Sequence, residues 1–339
     1  MTNTLYYAGQ PGDGYGWGVC NKYLIRELSK LCDLKHWPQS SGSPENVFVP
    51  IADHSLTPSC SIRGKRNYGY CFFEFELQPD AVENAKLYDL IFCGSTWCKE
   101  RLAERGIHNT EVLIQGVDHD IFQPDERARV LMPPDEFRIF SGGKFEYRKG
   151  QDIVLAAFKL LQDKYPDMHL VASWFNPWPQ LFYSMKDSKH ISLGFPYSSS
   201  AMEWLKNCAI WNGLHKDRLT LLPQLSQNEL ADVMRSTDLG VFPNRCEGGT
   251  NLVLMEYLAC GKPAIATAGT GHLDICGYDK LIGKETDTKW VECSPEQVAS
   301  RIEYLYGSHK LRNPSGEWGP AFMREWTWQR AAEQILSHC

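Results

Sequence analysis

Short apolar runs recur along the chain, separated by stretches whose apolar positions return at helical spacing. The runs at residues 5–8, 46–50, 68–73, 90–93 and 111–114 predict strands, and the periodicity between them predicts helices over 19–31 and 96–105. After residue 136 the alternation resumes. Strands at 137–141, 169–173, 219–222, 239–242 and 263–266 alternate with helices at 150–164, 201–209, 226–236 and 251–260. Such alternation builds parallel sheets covered on both faces, so the pattern predicts an α/β protein with two open sheets. Ligands of such sheets lie beyond the carboxyl ends of the strands. The break at 123–136 is rich in proline and charge and marks a domain boundary. We place the domains at 1–128 and 129–320, with a closing segment at 321–339.

A length of 339 residues exceeds what one core usually serves, which agrees with two domains and a cleft. The formal net charge of −6 supplies no field for nucleic acid or an anionic membrane. Residues 1–5 are polar and lack a signal-peptide pattern, and no apolar run reaches membrane-spanning length. These features imply a cytoplasmic protein with no integral membrane segment. The twelve cysteines are scattered, without zinc-type pairs, and are read as reduced thiols.

Three segments carry chemistry. The glycines at 12, 14, 16 and 18 alternate between a strand and a helix. They do not fit the dinucleotide fingerprint. Such a loop is either a flexible turn or one that lets a ligand approach the backbone, with Gly16 as the candidate contact. Gly142-Gly143-Lys144 and Lys149-Gly150 follow the first strand of the second series. Two ammonium groups there would neutralise a leaving diphosphate, the part a divalent metal plays elsewhere. In Glu247-Gly248-Gly249-Thr250-Asn251-Leu252, small residues let the chain turn, and Thr250 or Asn251 caps a helix that ends at Gly261. Amides at that helix start form an anion site, and Glu256, more than one turn in, can accept the paired hydroxyls of a ribose. Gly271, after the next strand, would complete the phosphate cradle. Asp118-His119-Asp120 spells a metal-binding triplet but stands remote in sequence from these loops, so no metal ligands are assigned. Most aromatic residues read as core; Trp174-Phe175-Asn176-Pro177-Trp178-Pro179 is the segment that would line a pocket.

The chain resembles the retaining, GT-B-fold glycosyltransferases of family four. The marks are Gly143-Lys144 with Lys149-Gly150, residues 223–229, Glu247 to Glu256 with Gly261-Lys262-Pro263, Gly116-Val117-Asp118 with Phe122 and Pro124, and the closing segment from Trp326. The resemblance implies two Rossmann-like domains facing a central cleft, with the closing helix crossing back to the first. It implies a nucleotide diphosphate sugar as donor, no cofactor, retention of anomeric configuration, and a glycan or glycolipid acceptor. Lys144, Lys149, Glu247 and Glu74 would be catalytic; Gly16, Gly143, Gly248, Gly249, Thr250, Asn251, Leu252, Glu256 and Gly271 would hold the donor. The chain departs from the family at three places. Glu247 stands one residue before the usual motif glutamate, a place held by Gly248; Lys144 replaces a common arginine; and Glu74 lies where a histidine is frequent. Glycosylation of a nucleic-acid base, a sugar-nucleotide epimerase, and a silent sugar-nucleotide-binding protein are the alternatives.

Overall fold

The computed structural model describes residues 4–36, 44–51, 53–61, 63–125, 136–195, 198, 200–275, 279–308 and 313–339. In the first half the chain runs β1 (Thr4–Tyr7), α1 (Gly16–Leu31), β2 (Asp33–His36), β3 (Asn46–Ile51), β4 (Arg66–Cys71), α2 (Ala81–Ala85), β5 (Leu90–Cys93), α3 (Thr96–Glu104) and β6 (Thr110–Val112). The six strands form one sheet in the order β2-β1-β3-β4-β5-β6, every pairing parallel. Val47, Val49 and Ile51 on β3 are all buried, as both-face coverage requires of a central parallel strand.

The second half begins with β7 (Phe137–Gly142), α4 (Gln151–Leu161), β8 (Met168–Ser173), α5 (Ala201–Trp211) and β9 (Leu219–Leu221). It continues through α6 (Gln227–Ser236), β10 (Leu239–Phe242), α7 (Leu252–Ala259), β11 (Ala264–Thr267) and β12 (Asp279–Leu281). A small hairpin, β13 (Lys284–Glu285) and β14 (Val291–Glu292), then precedes α8 (Pro295–Gly307), α9 (Asn313–Met323) and α10 (Trp328–Leu336). The second sheet is ordered β12-β11-β10-β7-β8-β9 and is also parallel throughout. Its strand order reverses between β7 and β10, which opens a crevice between the loops that leave them.

The proline- and charge-rich boundary expected at 123–136 falls largely on residues 126–135, outside the described residues. The closing helix does cross back. Trp328, Ala331 and Ile335 of α10 are buried with Leu5, Tyr7 and Leu24 of the first half, and Trp328 stacks on Tyr23 at 5.3 Å. A side chain at Gly116 would overlap the backbone of Trp328, so the junction motif is a place where two chain segments touch. No helix among the described residues is long and apolar enough to cross a membrane.

Candidate active site

The carboxyl ends of the two sheets face a common cleft of about 410 Å³. The loop after β1 contributes Gly14 to Trp17, that after β3 His54, and that after β4 Phe72 and Glu74. From the second sheet come Gly143, Lys144, Arg148 and Lys149 after β7, Phe175 and Trp178 after β8, Gln224 and Gln227 near α6, and Glu247, Gly249, Asn251 and Glu256 after β10.

β7 hands the chain to a tight loop that places its charges at the crevice. Gly150 has φ +73°, and a side chain there would overlap Pro243 O, so glycine is required. Lys149 Nζ, in the turn Tyr147–Lys149, lies 2.6 and 2.9 Å from the two carboxylate oxygens of Glu247. Asn244 Nδ2 donates to the same carboxylate. Burial alone would raise the Glu247 carboxyl; Lys149 and Arg148 outweigh it and bring it down to about 2. Burial pulls Lys149 below the ordinary lysine range against the attraction of Glu247. Arg148, between the two expected lysines, is itself a centre of the site. Its guanidinium sits 2.9 Å from Glu146, 3.3 Å from Glu74 and 3.4 Å from Glu247. Lys144 pairs with Glu146 at 3.0 Å and lies 5.1 Å from the Trp178 ring.

Asn251, in the left-handed region at φ +67°, caps α7, and Gly261 ends it at φ +75°, as the small-residue pattern implied. Leu252 and Val253 of the first turn line the cleft, and Glu256 lies one turn deeper. Glu256 is buried, and among the described residues no hydrogen bond reaches its carboxyl. Burial and then the nearby Asp118 push its carboxyl up to about 8.

Three expected donor contacts do not reach the cleft. Gly248 packs on the first domain: a side chain there would lie 2.7 Å from Phe73 N, and its carbonyl accepts from Ser95 Oγ at 2.7 Å. Thr250 is buried with its hydroxyl on Met255 Sδ at 3.0 Å. Gly271 spends its N–H on Glu247 O at 3.0 Å, so that amide is not free for phosphate, and the residue is glycine because a side chain would overlap Gly249 O. Gly16 and Gly249 line the cleft as expected sites, but a side chain at Gly16 would meet open space, and the steric need falls on Gly14, against Gln224. Gly143, at φ +108°, lines the cleft with its N–H on Ser173 O at 3.1 Å. Of the aromatic segment, Trp174 is core, with Nε1 on Ser141, whereas Phe175 and Trp178 line the cleft. Asp118 is engaged by Arg26 at 2.7 Å.

Sequence reasoning passed over Arg148 and the buried pair beneath it. Arg245 makes two 2.8 Å contacts to Asp152 and lies 3.8 Å over the Tyr147 ring, which fixes the turn that carries Lys149. The signal was the basic run Arg148-Lys149, read only for its second member.

Two doubly wound domains with a charged cleft between their carboxyl edges define the GT-B class. Residues 122–319 match the family described as glycosyl transferases group 1, and the chain belongs to that family. It is 27% identical over 244 residues to an uncharacterized glycosyltransferase of Methanocaldococcus jannaschii, covering 71% of this chain and 56% of that protein. It is 26% identical over 230 residues to a D-inositol 3-phosphate glycosyltransferase of an Arthrobacter species, covering 67% and 48%. The chain thus spans about half the length of the curated relatives it matches. Sucrose-phosphate synthase of Thermosynechococcus elongatus shares the fold with a TM-score of 0.71 at 15% identity, over 99% of this chain and 98% of that one. Anabaena HepE, solved with UDP and glucose, does so at 0.71 and 11%, over 99% of each chain.

Proposed function

We propose that the protein transfers a sugar from a nucleotide diphosphate sugar to a hydroxyl of an acceptor, with retention of configuration and without a metal. The observation that carries this reading is the pairing, in one crevice, of a cationic loop with the buried carboxyl of Glu256, which has no hydrogen bond among the described residues. Lys149 has three N–H donors and spends two on Glu247, which leaves one for a phosphate oxygen. Lys144 adds a second cation, and the first turn of α7 supplies amides and a favourable dipole. Glu256 suits a ribose diol, and Glu247 faces the transferred sugar. As the glycosidic bond breaks, the electron pair goes to the leaving diphosphate, whose new charge these groups stabilise. The departing phosphate then takes the acceptor proton on the same face of the sugar.

Uridine diphosphate sugars are the first donors to test, since Anabaena HepE was solved with UDP-glucose. Thermal shift against uridine, guanosine and adenosine diphosphate sugars identifies the donor, because a ligand of the folded state raises its melting temperature. Turnover of that donor in excess chelator is expected at the full rate. Loss of turnover in chelator, restored by manganese or magnesium, would refute the metal-free mechanism, and no binding of any nucleotide sugar would refute the function. A glycan or glycolipid acceptor is the primary reading. The inositol-phosphate relatives supply a second, a small phosphorylated acceptor.

A further inference from the structure

The proposed reaction leaves the acceptor open, and the first-domain wall of the cleft narrows it. Among the described residues on that wall are Tyr15, Trp17, His54, Phe72 and Glu74, and none is lysine or arginine. The cations lining the cleft, Lys144, Arg148 and Lys149, all come from the second domain and are already paired with carboxylates. Glu74 therefore sets the charge of the wall. Its backbone is pinned, with its carbonyl accepting from Trp290 Nε1 at 2.6 Å and Cys246 Sγ at 3.7 Å, and its carboxylate is oriented by Arg148.

The next residue, Phe75, lies outside the cleft lining and touches it through His54. Phe75 is 55% exposed, although its ring is held by two neighbours. His54 stands edge-on to it at 5.5 Å and 88°, and Trp290, from the tip of the β13–β14 hairpin, lies at 5.3 Å. A ring held by two neighbours yet more than half exposed offers apolar surface with negative charge density on its face beside the cleft-lining His54. The C–H face of a pyranose complements it, being apolar with weakly positive hydrogens, while sugar hydroxyls can donate to the adjacent carboxylate.

Resting on the proposed function, we infer that the acceptor is an uncharged carbohydrate, seated with one ring face on Phe75 and a hydroxyl on Glu74. A phosphate at this rim would be repelled by Glu74 and find no cation among the described residues of the first-domain wall, and the nearest guanidinium, that of Arg148, is already held by Glu74, Glu146 and Glu247. The small phosphorylated acceptor considered above is therefore disfavoured by charge.

The test pairs methyl glucoside, mannoside and galactoside each with its own 6-phosphate, using a nucleotide sugar that thermal shift has shown to bind. At least one neutral glycoside is expected to be used with kcat/KM about tenfold or more above that of its phosphate. Phe75→Ala should raise the acceptor KM about tenfold, more than it moves the donor KM, and Phe75→Trp should restore it. Glu74→Lys should shift the preference towards the phosphorylated member. Preference for the phosphates in the parent enzyme, an acceptor KM indifferent to Phe75→Ala, or donor hydrolysis without transfer to any neutral glycoside would each overturn the assignment. Failure to bind any nucleotide sugar is read separately, in the thermal shift, and overturns the proposed function together with the acceptor.

Discussion

Glu247 and Glu256 belong to one loop-and-helix segment, yet their surroundings drive their protons in opposite directions. Burial raises both carboxyls; cations reverse it at Glu247, to about 2, whereas at Glu256 Asp118 adds to it, to about 8. The linkage follows from those signs. The contribution of Glu247 is present above its ordinary value of 4.5 and is lost as pH falls towards 2. The penalty from Glu256 is absent below 4.5 and grows until pH reaches about 8. Glu256→Gln should therefore raise the unfolding free energy at pH 8, by an amount on the order of a few kcal/mol, and leave it near the parent at pH 4.5, as urea unfolding at the two pH values would show. The same substitution should weaken nucleoside diphosphate binding above pH 8, where the carboxyl is ionised, by about 1.5–3 kcal/mol, because an amide cannot accept two hydroxyl bonds as a carboxylate does. An unchanged dissociation constant by calorimetry would remove the ribose assignment. Lys149→Ala should act on turnover. Its attraction to the diphosphate grows as the leaving oxygen gains charge, so kcat should fall about a hundredfold while the donor KM moves less. Steady-state kinetics decide it: a rise in KM alone makes Lys149 a docking group. Since Glu247 also loses its nearest cation, Lys149→Ala with Glu247→Gln should be less than additive.

Elements set within a both-face-buried sheet were legible because their burial is continuous and their caps are local. β5 and β10 lie where their apolar runs predict, and α7 is bounded by Asn251 and Gly261 as its small residues indicate. Edge elements were not. β2 (Asp33–His36) is polar and half exposed, so it has no apolar signature, and it pairs only with β1. α8 was missed despite a capping box of Ser294 and Gln297 with Pro295 at its start, a pattern that could have been read. Arg148 illustrates a different limit. Its partner Glu146 is local, but Glu74 and Glu247 come from distant parts of the chain, and no local spacing reveals that meeting. The crossing helix α10 was legible as a motif, and its packing yields a test at this scale. Trp328, buried against Tyr23, anchors α10 on α1, so Trp328→Ala should cost about 3–5 kcal/mol. Urea unfolding measures it; a loss below about 1 kcal/mol would mean that the helix is held by its other contacts.

At the scale of the whole molecule, the two domains meet through an apolar cluster, in which Ile114, Val117 and Phe122 pack with Phe242, Leu254 and Met323, and through polar contacts beside the cleft. Ser95, which caps α3, also donates to Gly248 O, and Thr96 N donates to Asp274 Oδ2 at 2.6 Å. Tyr23 OH reaches Gln227 at 2.6 Å on the other side of the cleft. Gly248 is a close backbone approach, with no room for a methyl group between it and the Phe73 backbone. Its value therefore lies in letting the domains meet, and a side chain there acts as a wedge. Gly248→Ala must push Phe73, and with it Glu74, away from the loop that holds Glu247. Phe73 is itself buried with Cys71, Leu77 and Cys98, so part of the strain falls on that cluster and the melting temperature should drop by about a few degrees, with the fold retained. Nucleoside diphosphate affinity should also be largely kept, since Lys149 and Glu256 both belong to the second half. Transfer should suffer instead: a misplacement near 1 Å between acceptor and donor sides costs about a hundredfold in rate. The measurements are kcat for transfer, calorimetric affinity for the nucleotide, and thermal melting. Full kcat in a folded Gly248→Ala variant would show that the domains can react from further apart, whereas loss of nucleotide affinity equal to the loss of kcat would place the damage within the donor loop itself.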